Sequence, residues 1–137
     1  MEDSLFELNS GPQIAYTFRT SLELNNITFL AKPGQEPSPF EFVSSNLTIT
    51  SSRFEGSGCV PTVLNGGIIR DVSDNYLSIT DSSFSNFCAF NGGAIYSGGY
   101  SRVLINSSSF SNCESYKKGG AIFSRDALSV TVKDSIF

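Results

Sequence analysis

The chain has no histidine and no tryptophan, and its one methionine is the first residue. Without histidine it lacks the side chain most used for proton transfer near neutral pH, and the commonest metal ligand. Three cysteines with no histidine match no zinc-site spacing. Positive charge is scarce: 9 Lys and Arg against 13 Asp and Glu give a net charge of −4. No basic run marks a nucleic-acid or anionic-membrane partner, and we expect none. No apolar stretch is long enough to span a bilayer. The opening "MEDSLFELNS" is acidic and lacks the charged-then-apolar layout of a secretory signal. The chain is thus expected to be either cytosolic or a piece of something longer.

What the sequence has is 12 Phe, 12 Gly and many Ser, Asn and Thr, a strand-and-turn composition poor in helix formers. It also repeats itself. "LELNNITF" (22–29), "LTITSSRF" (47–54), "LSITDSSF" (77–84), "VLINSSSF" (103–110) and "VTVKDSIF" (130–137) share one pattern: two apolar residues two apart, a small polar residue, then Phe. The repeated Phe residues are Phe29, Phe54, Phe84, Phe110 and Phe137, spaced 25, 30, 26 and 27 residues apart. A period in the twenties is the mark of a solenoid.

A second column stands eight residues before four of these segments: Ile14, Ile69, Ile95 and Ile122. Gly pairs precede three of these (66–67, 92–93, 119–120), while "PSPFEF" (37–42) takes their place in the second repeat. Period-two alternation over so few residues describes strands too short for a free sheet. They become stable when each repeat forms one coil and pairs with the coils on either side. The chain therefore reads as all-β, a parallel β-helix of about five coils forming a single segment over 1–137. Phe stacks on Phe and Ile on Ile. Asn26, Ser51, Asp81, Ser107 and Asp134 sit at a corner, where we expect a hydrogen-bonded ladder, and the Gly pairs supply positive φ at another corner. A β-sandwich is the competing architecture, but it requires no matched residues at a fixed period. The leucine-rich repeat pattern is missing.

The Gly-Gly-Ala-Ile words at 92–95 and 119–122, the related "GGII" at 66–69, and Phe-Ser-Asn at 84–86 and 110–112 resemble the repeats of the polymorphic outer membrane proteins of chlamydiae. Similar repeats occur in large surface proteins of some protists. The resemblance covers 47–137 well and 11–46 loosely. It implies a right-handed coil, a cell-surface location and an adhesive role, and it supplies no catalytic residue.

Three N-x-S/T sequons, at Asn26, Asn46 and Asn106, are candidate glycosylation sites for a secreted eukaryotic chain. Asn106 falls on the outward phase, in one column with Asn25, Thr50, Thr80 and Lys133. Cys59, Cys88 and Cys113 follow their ladder Phe by five, four and three residues. A Cys88–Cys113 disulfide is the expected pairing if their coils are adjacent, and the odd count leaves one thiol free or paired elsewhere. Buried free thiols are the alternative.

Parallel β-helices include polysaccharide lyases and hydrolases, whose sites gather acidic residues on one sheet face. The best acidic cluster here is Arg70, Asp71, Asp74 and Asp81. It reads as a solvated turn, because Tyr96 and Phe123 align with Arg70 and do not extend it. Tyr96, Tyr100, Tyr116 and Phe123 are candidates for an aromatic contact patch along one edge. No enzyme activity, cofactor or metal site is expected. The expected role is structural and adhesive, at the cell surface or outside the cell, with loops and glycans displayed from a rigid rod. Expected partners are further coils of the same or a neighbouring polypeptide and host or matrix surface ligands. Two alternatives belong to other classes: a pectate-lyase-like carbohydrate-active enzyme with its active coils outside this chain, and a filament subunit stacking end to end. Since nothing caps the coil that ends at Phe137, the chain is expected to be a fragment of a longer protein.

Overall fold

The computed structural model describes residues 5–7, 16–31, 40–59 and 65–137. Every strand pairing in it is parallel, and the described residues contain no helix. Three five-stranded sheets form the walls of a β-solenoid of about four turns. The expected five coils correspond to five stacked strands per wall, which are joined by about four turns.

The long wall consists of Ser21–Asn25, Asn46–Thr50, Tyr76–Thr80, Arg102–Asn106 and Ser129–Lys133. Its register places Leu22, Leu47, Leu77, Val103 and Val130 in one column, and Leu24, Ile49, Ile79, Ile105 and Val132 in the next inward one. The Phe wall consists of Leu5–Glu7, Thr28–Leu30, Arg53–Glu55, Ser83–Ser85 and Ser109–Ser111. Phe29, Phe54, Phe84 and Phe110 share one register position on it, and the backbone of Phe6 continues that position. The third wall consists of Tyr16–Phe18, Phe40–Val43, Ile69–Ser73, Ile95–Ser97 and Ile122–Ser124. Phe40 fills the Ile69–Ile95–Ile122 column in the second coil. Ile14, also expected in that column, lies outside the described residues.

The rings along the Phe wall stack almost parallel, with centroids 4.9 Å apart from Phe54 to Phe84, Phe84 to Phe110 and Phe110 to Phe137. That distance is the spacing of paired strands, so the sheet itself sets the stacking. Phe29, Phe54, Phe84 and Phe110 are buried, each contributing roughly 1.5–3 kcal/mol relative to exposure. Phe137 stacks on Phe110 and is 61% exposed, and Val130, Val132 and Ile136 of the same coil are exposed as well.

The corner between the long wall and the Phe wall carries the expected small polar column. Asn26, Ser51, Asp81, Ser107 and Asp134 all adopt left-handed φ, between 48° and 54°. Asn and Asp tolerate that conformation better than other L residues because their short side chains bond locally. The polar ladder expected at this corner runs one column further on. The hydroxyls of Ser52, Ser82, Ser108 and Ser135 accept from the backbone N–H of Ile27, Ser52, Ser82 and Ser108, at 3.1–3.2 Å. Each of these hydroxyls donates to a carbonyl two residues back, on Thr50, Thr80, Asn106 and Lys133, at 2.7–2.8 Å. The corner residues, strained into left-handed φ, turn the chain. The serines after them face inward and satisfy the backbone that the turn frees.

Candidate functional site

Between the Phe wall and the third wall a short two-stranded sheet, Cys88–Asn91 with Glu114–Lys118, projects before the chain turns at a Gly pair. The first Gly of each pair has positive φ: 67° at Gly66, 62° at Gly92 and 75° at Gly119. At Gly67 and Gly93 the second Gly is needed for space. A Cβ on Gly93 would lie 2.4 Å from the Glu114 carbonyl oxygen and 2.6 Å from that of Gly120. The repeated Gly-Gly word thus makes a tight corner with no side chain of its own, and the columns on either side of it face a common hollow.

That hollow is an open groove of about 550 Å3, within the size range of small-ligand sites. On one side of the corner stand Asn65, Asn91 and Lys118, which occupy one register column. The Asn91 amide donates to Asn65 Oδ1 at 2.8 Å. On the other side the column Arg70, Tyr96, Phe123 points outward, and the Tyr96 and Phe123 rings lie 5.7 Å apart, tilted by 36°. Lys117 and Arg125 complete the lining. The Lys117 ammonium sits 5.1 Å above the centre of the Phe90 ring, a weak attraction at this exposed site. Arg125 Nε lies 3.4 Å from Asp126 Oδ2 in an exposed pair. The groove therefore concentrates positive charge on a chain whose net charge is −4. Of the four aromatics expected to form a contact patch, Tyr96 and Phe123 line the groove. Tyr100 lies at a left-handed corner and Tyr116 on the short sheet, both exposed and outside the groove.

The acidic cluster is not the solvated turn it was expected to be. Asp71 is 1% exposed and points into the solenoid, in the same phase as Ile69. Its Oδ2 accepts from the Ser97 hydroxyl at 2.7 Å and its Oδ1 from the Ser101 hydroxyl at 2.8 Å. The Asn75 amide also donates to Oδ1. Asn75 in turn donates to the Phe42 carbonyl, and its Oδ1 accepts from the Ser45 N–H at 2.6 Å. Burial raises the Asp71 carboxyl above its ordinary range. The bonds from Asn75, Ser97 and Ser101 oppose that shift without cancelling it, and the nearby Asp74 adds to it. Arg70 points outward and lies 3.4 Å from Glu41. Asp74 and Asp81 occupy separate exposed corners. The four residues do not converge on one face. Among the described residues no three His, Cys, Asp or Glu side chains are placed to hold a metal.

The disulfide joins Cys59 to Cys88, with Cα atoms 4.8 Å apart, and Cys113 is free. This corrects the expected Cys88–Cys113 bridge. Cys88 is opposite Glu114 in register, so Cys113 is one residue out of step. Neighbouring residues on a strand face opposite ways, and Cys113 turns toward the core instead. Of the sequon asparagines, Asn46 opens a long-wall strand and is exposed, Asn26 is exposed at a left-handed corner, and Asn106 is half-buried in its expected column with Thr80 and Lys133.

No family model, no curated protein and no solved structure matches the chain, which is defined by its architecture: an all-parallel β-solenoid of about four turns with a cationic, aromatic groove at its Gly-Gly corner.

Proposed function

We propose that the chain is a structural and adhesive segment of an extracellular or cell-surface β-helical protein. Its walls form a rigid rod, and the segments between walls are held outward for contact with a host or matrix surface. The observation that carries this reading is the Cys59–Cys88 disulfide linking successive coils, because disulfides persist in oxidising compartments and are rare in the cytosol. The motif resemblance to surface-protein repeats and the exposure of Asn46 add to it. Glycans at Asn46, Asn26 or Asn106 would project from the rod. The exposed apolar side chains of the last coil, Val130, Val132, Ile136 and Phe137, suit coverage by further coils of the same or a neighbouring polypeptide.

Protease shaving of intact source cells, followed by peptide mapping, tests the reading. The expected result is release of peptides from this chain into the medium, with glycan on at least one sequon if the source is eukaryotic. Recovery of the chain solely from the cytosolic fraction, with all sequons unmodified, would overturn it.

A further inference from the structure

We infer that the groove at the Gly-Gly corner is a binding site for an acidic saccharide, that is, a pyranose chain bearing carboxylate or sulfate groups. The inference rests on the groove alone and stands whatever the compartment of the chain. Two kinds of surface meet there. Tyr96 and Phe123 are partly exposed rings in one outward column, 5.7 Å apart and tilted by 36°, and so offer the apolar faces on which a pyranose ring packs. Across the Gly corner, Lys118 shares a column with Asn91, and Lys117 lies over Phe90. Both lysines line the same groove as Tyr96 and Phe123, and so offer positive charge to an anionic substituent on a sugar whose ring lies against those rings.

The Asn65–Asn91 amide pair, joined at 2.8 Å, supplies polar groups of the kind that bind hydroxyls. Rings alone would suit a neutral sugar and cations alone any polyanion, whereas the two together at one corner select a molecule with both features. A nucleic acid also has flat faces and negative charge, but its recognition relies on a long basic track. On this acidic chain the cationic side chains of the groove are confined to Lys117, Lys118 and Arg125, the last already beside Asp126.

The test is calorimetric and NMR titration of the 137-residue chain with four probes: a trigalacturonate, a sulfated heparin-derived disaccharide, neutral maltotriose and decathymidylate. The expected result is saturable binding of the trigalacturonate or the sulfated disaccharide, whichever source of anion the site prefers, with maltotriose and decathymidylate each weaker. Lys117→Gln with Lys118→Gln is expected to weaken that binding roughly tenfold or more, the scale of one lost charge-assisted contact, without shifting the melting temperature, as both lysines are exposed. Phe123→Leu, which keeps apolar bulk and removes the ring, is expected to weaken the acidic saccharide and leave residual charge attraction. Failure of both acidic saccharides to bind at millimolar concentration overturns the inference. So does equal or tighter binding of decathymidylate, or acidic-saccharide binding indifferent to the lysine and Phe123 variants.

Discussion

The rings of Phe54 and Phe84 lie face to face, with centroids 4.9 Å apart and planes 3° from parallel. Phe84 meets Phe110 in the same way on its other side, so it is a fully buried ring held between two others by the strand spacing. Phe84→Ala leaves a cavity whose walls are fixed by the coils above and below. We expect it to cost about 3–5 kcal/mol. Phe137→Ala, at the exposed end of the same stack, is expected to cost far less. Urea unfolding midpoints of the two variants check the ladder, and equal midpoints would show that it does not hold the core.

Asp71 gives the fold a pH dependence with a definite sign. Its carboxyl is raised in the folded state because burial disfavours the charge, so the folded chain binds the proton more tightly than the unfolded chain. The stability linked to this group is full below the ordinary carboxylate range. It declines as pH climbs from that range to the raised folded value, and is flat above it. Asp71→Asn cannot ionise and still offers an acceptor and a donor to Asn75, Ser97 and Ser101. It is expected to remove the decline and to stabilise the fold at neutral pH by about 1–3 kcal/mol. Asp71→Leu strands the same three polar partners and is expected to cost about 2–5 kcal/mol. Unfolding free energies from pH 3 to 8 decide the matter, and parallel curves for wild type and Asp71→Asn would contradict it.

The cysteines make a separate prediction. Non-reducing peptide mapping should show Cys59 linked to Cys88 and Cys113 as a thiol. Burial raises the Cys113 thiol above its ordinary value, and a thiol with little thiolate reacts slowly. Iodoacetamide is thus expected to label it slowly in the folded chain and rapidly after unfolding. Removing the bridge, whose cysteines are 29 residues apart, is expected to cost about 3 kcal/mol. A Cys88–Cys113 peptide in the map would refute this connectivity.

Gly93→Ala tests the corner. Its methyl group would fall within 2.4–2.7 Å of backbone atoms of Glu114 and Gly120, which belong to paired segments and cannot give way cheaply. A loss of about 3 kcal/mol or more is expected. A Cβ at Gly120 meets nothing within 4 Å, so Gly120→Ala is expected to cost only the strain of its left-handed backbone, about 1–2 kcal/mol. Thermal melts of the two variants compare them directly.

The long wall and the Phe wall were legible in the sequence because the distance from their first apolar residue to Phe never changes: Leu22 to Phe29, Leu77 to Phe84 and Val130 to Phe137 are all seven residues. The inward serines are not legible in the sequence, although Ser52, Ser82, Ser108 and Ser135 each lie two residues before a ladder Phe. In so serine-rich a chain, an inward hydroxyl looks like an outward one until the turn beside it is known. Asp71 does carry a signal in the sequence, for alternation along Ile69-Arg70-Asp71 places the acid on the same side as Ile69. The disulfide and the cationic half of the groove were hidden for another reason. Both lie after the Phe, where the repeats differ in length, so Cys59 and Cys88 stand at different distances from their ladder residues, and neither Lys117 nor Lys118 aligns without the strand register. The aromatic half, Tyr96 over Phe123, lies after the Gly pair, where the register is regular again.

This division of each coil bears on how such a chain can change over generations. Successive ladder Phe residues are 25, 30, 26 and 27 apart, yet the step from left-handed corner to Phe is three in every coil, as from Asp81 to Phe84 and Ser107 to Phe110. The variation in length falls on the stretch between one Phe and the next long-wall strand. Codons gained or lost just after a Phe lengthen or shorten an excursion and leave the cross-section intact. One codon inserted between Asp81 and Phe84 would reverse the side chains of that Phe-wall strand, pushing the ring out and a serine in. An array like this one can therefore vary the surfaces it presents while each coil keeps its cross-section, with no new core required.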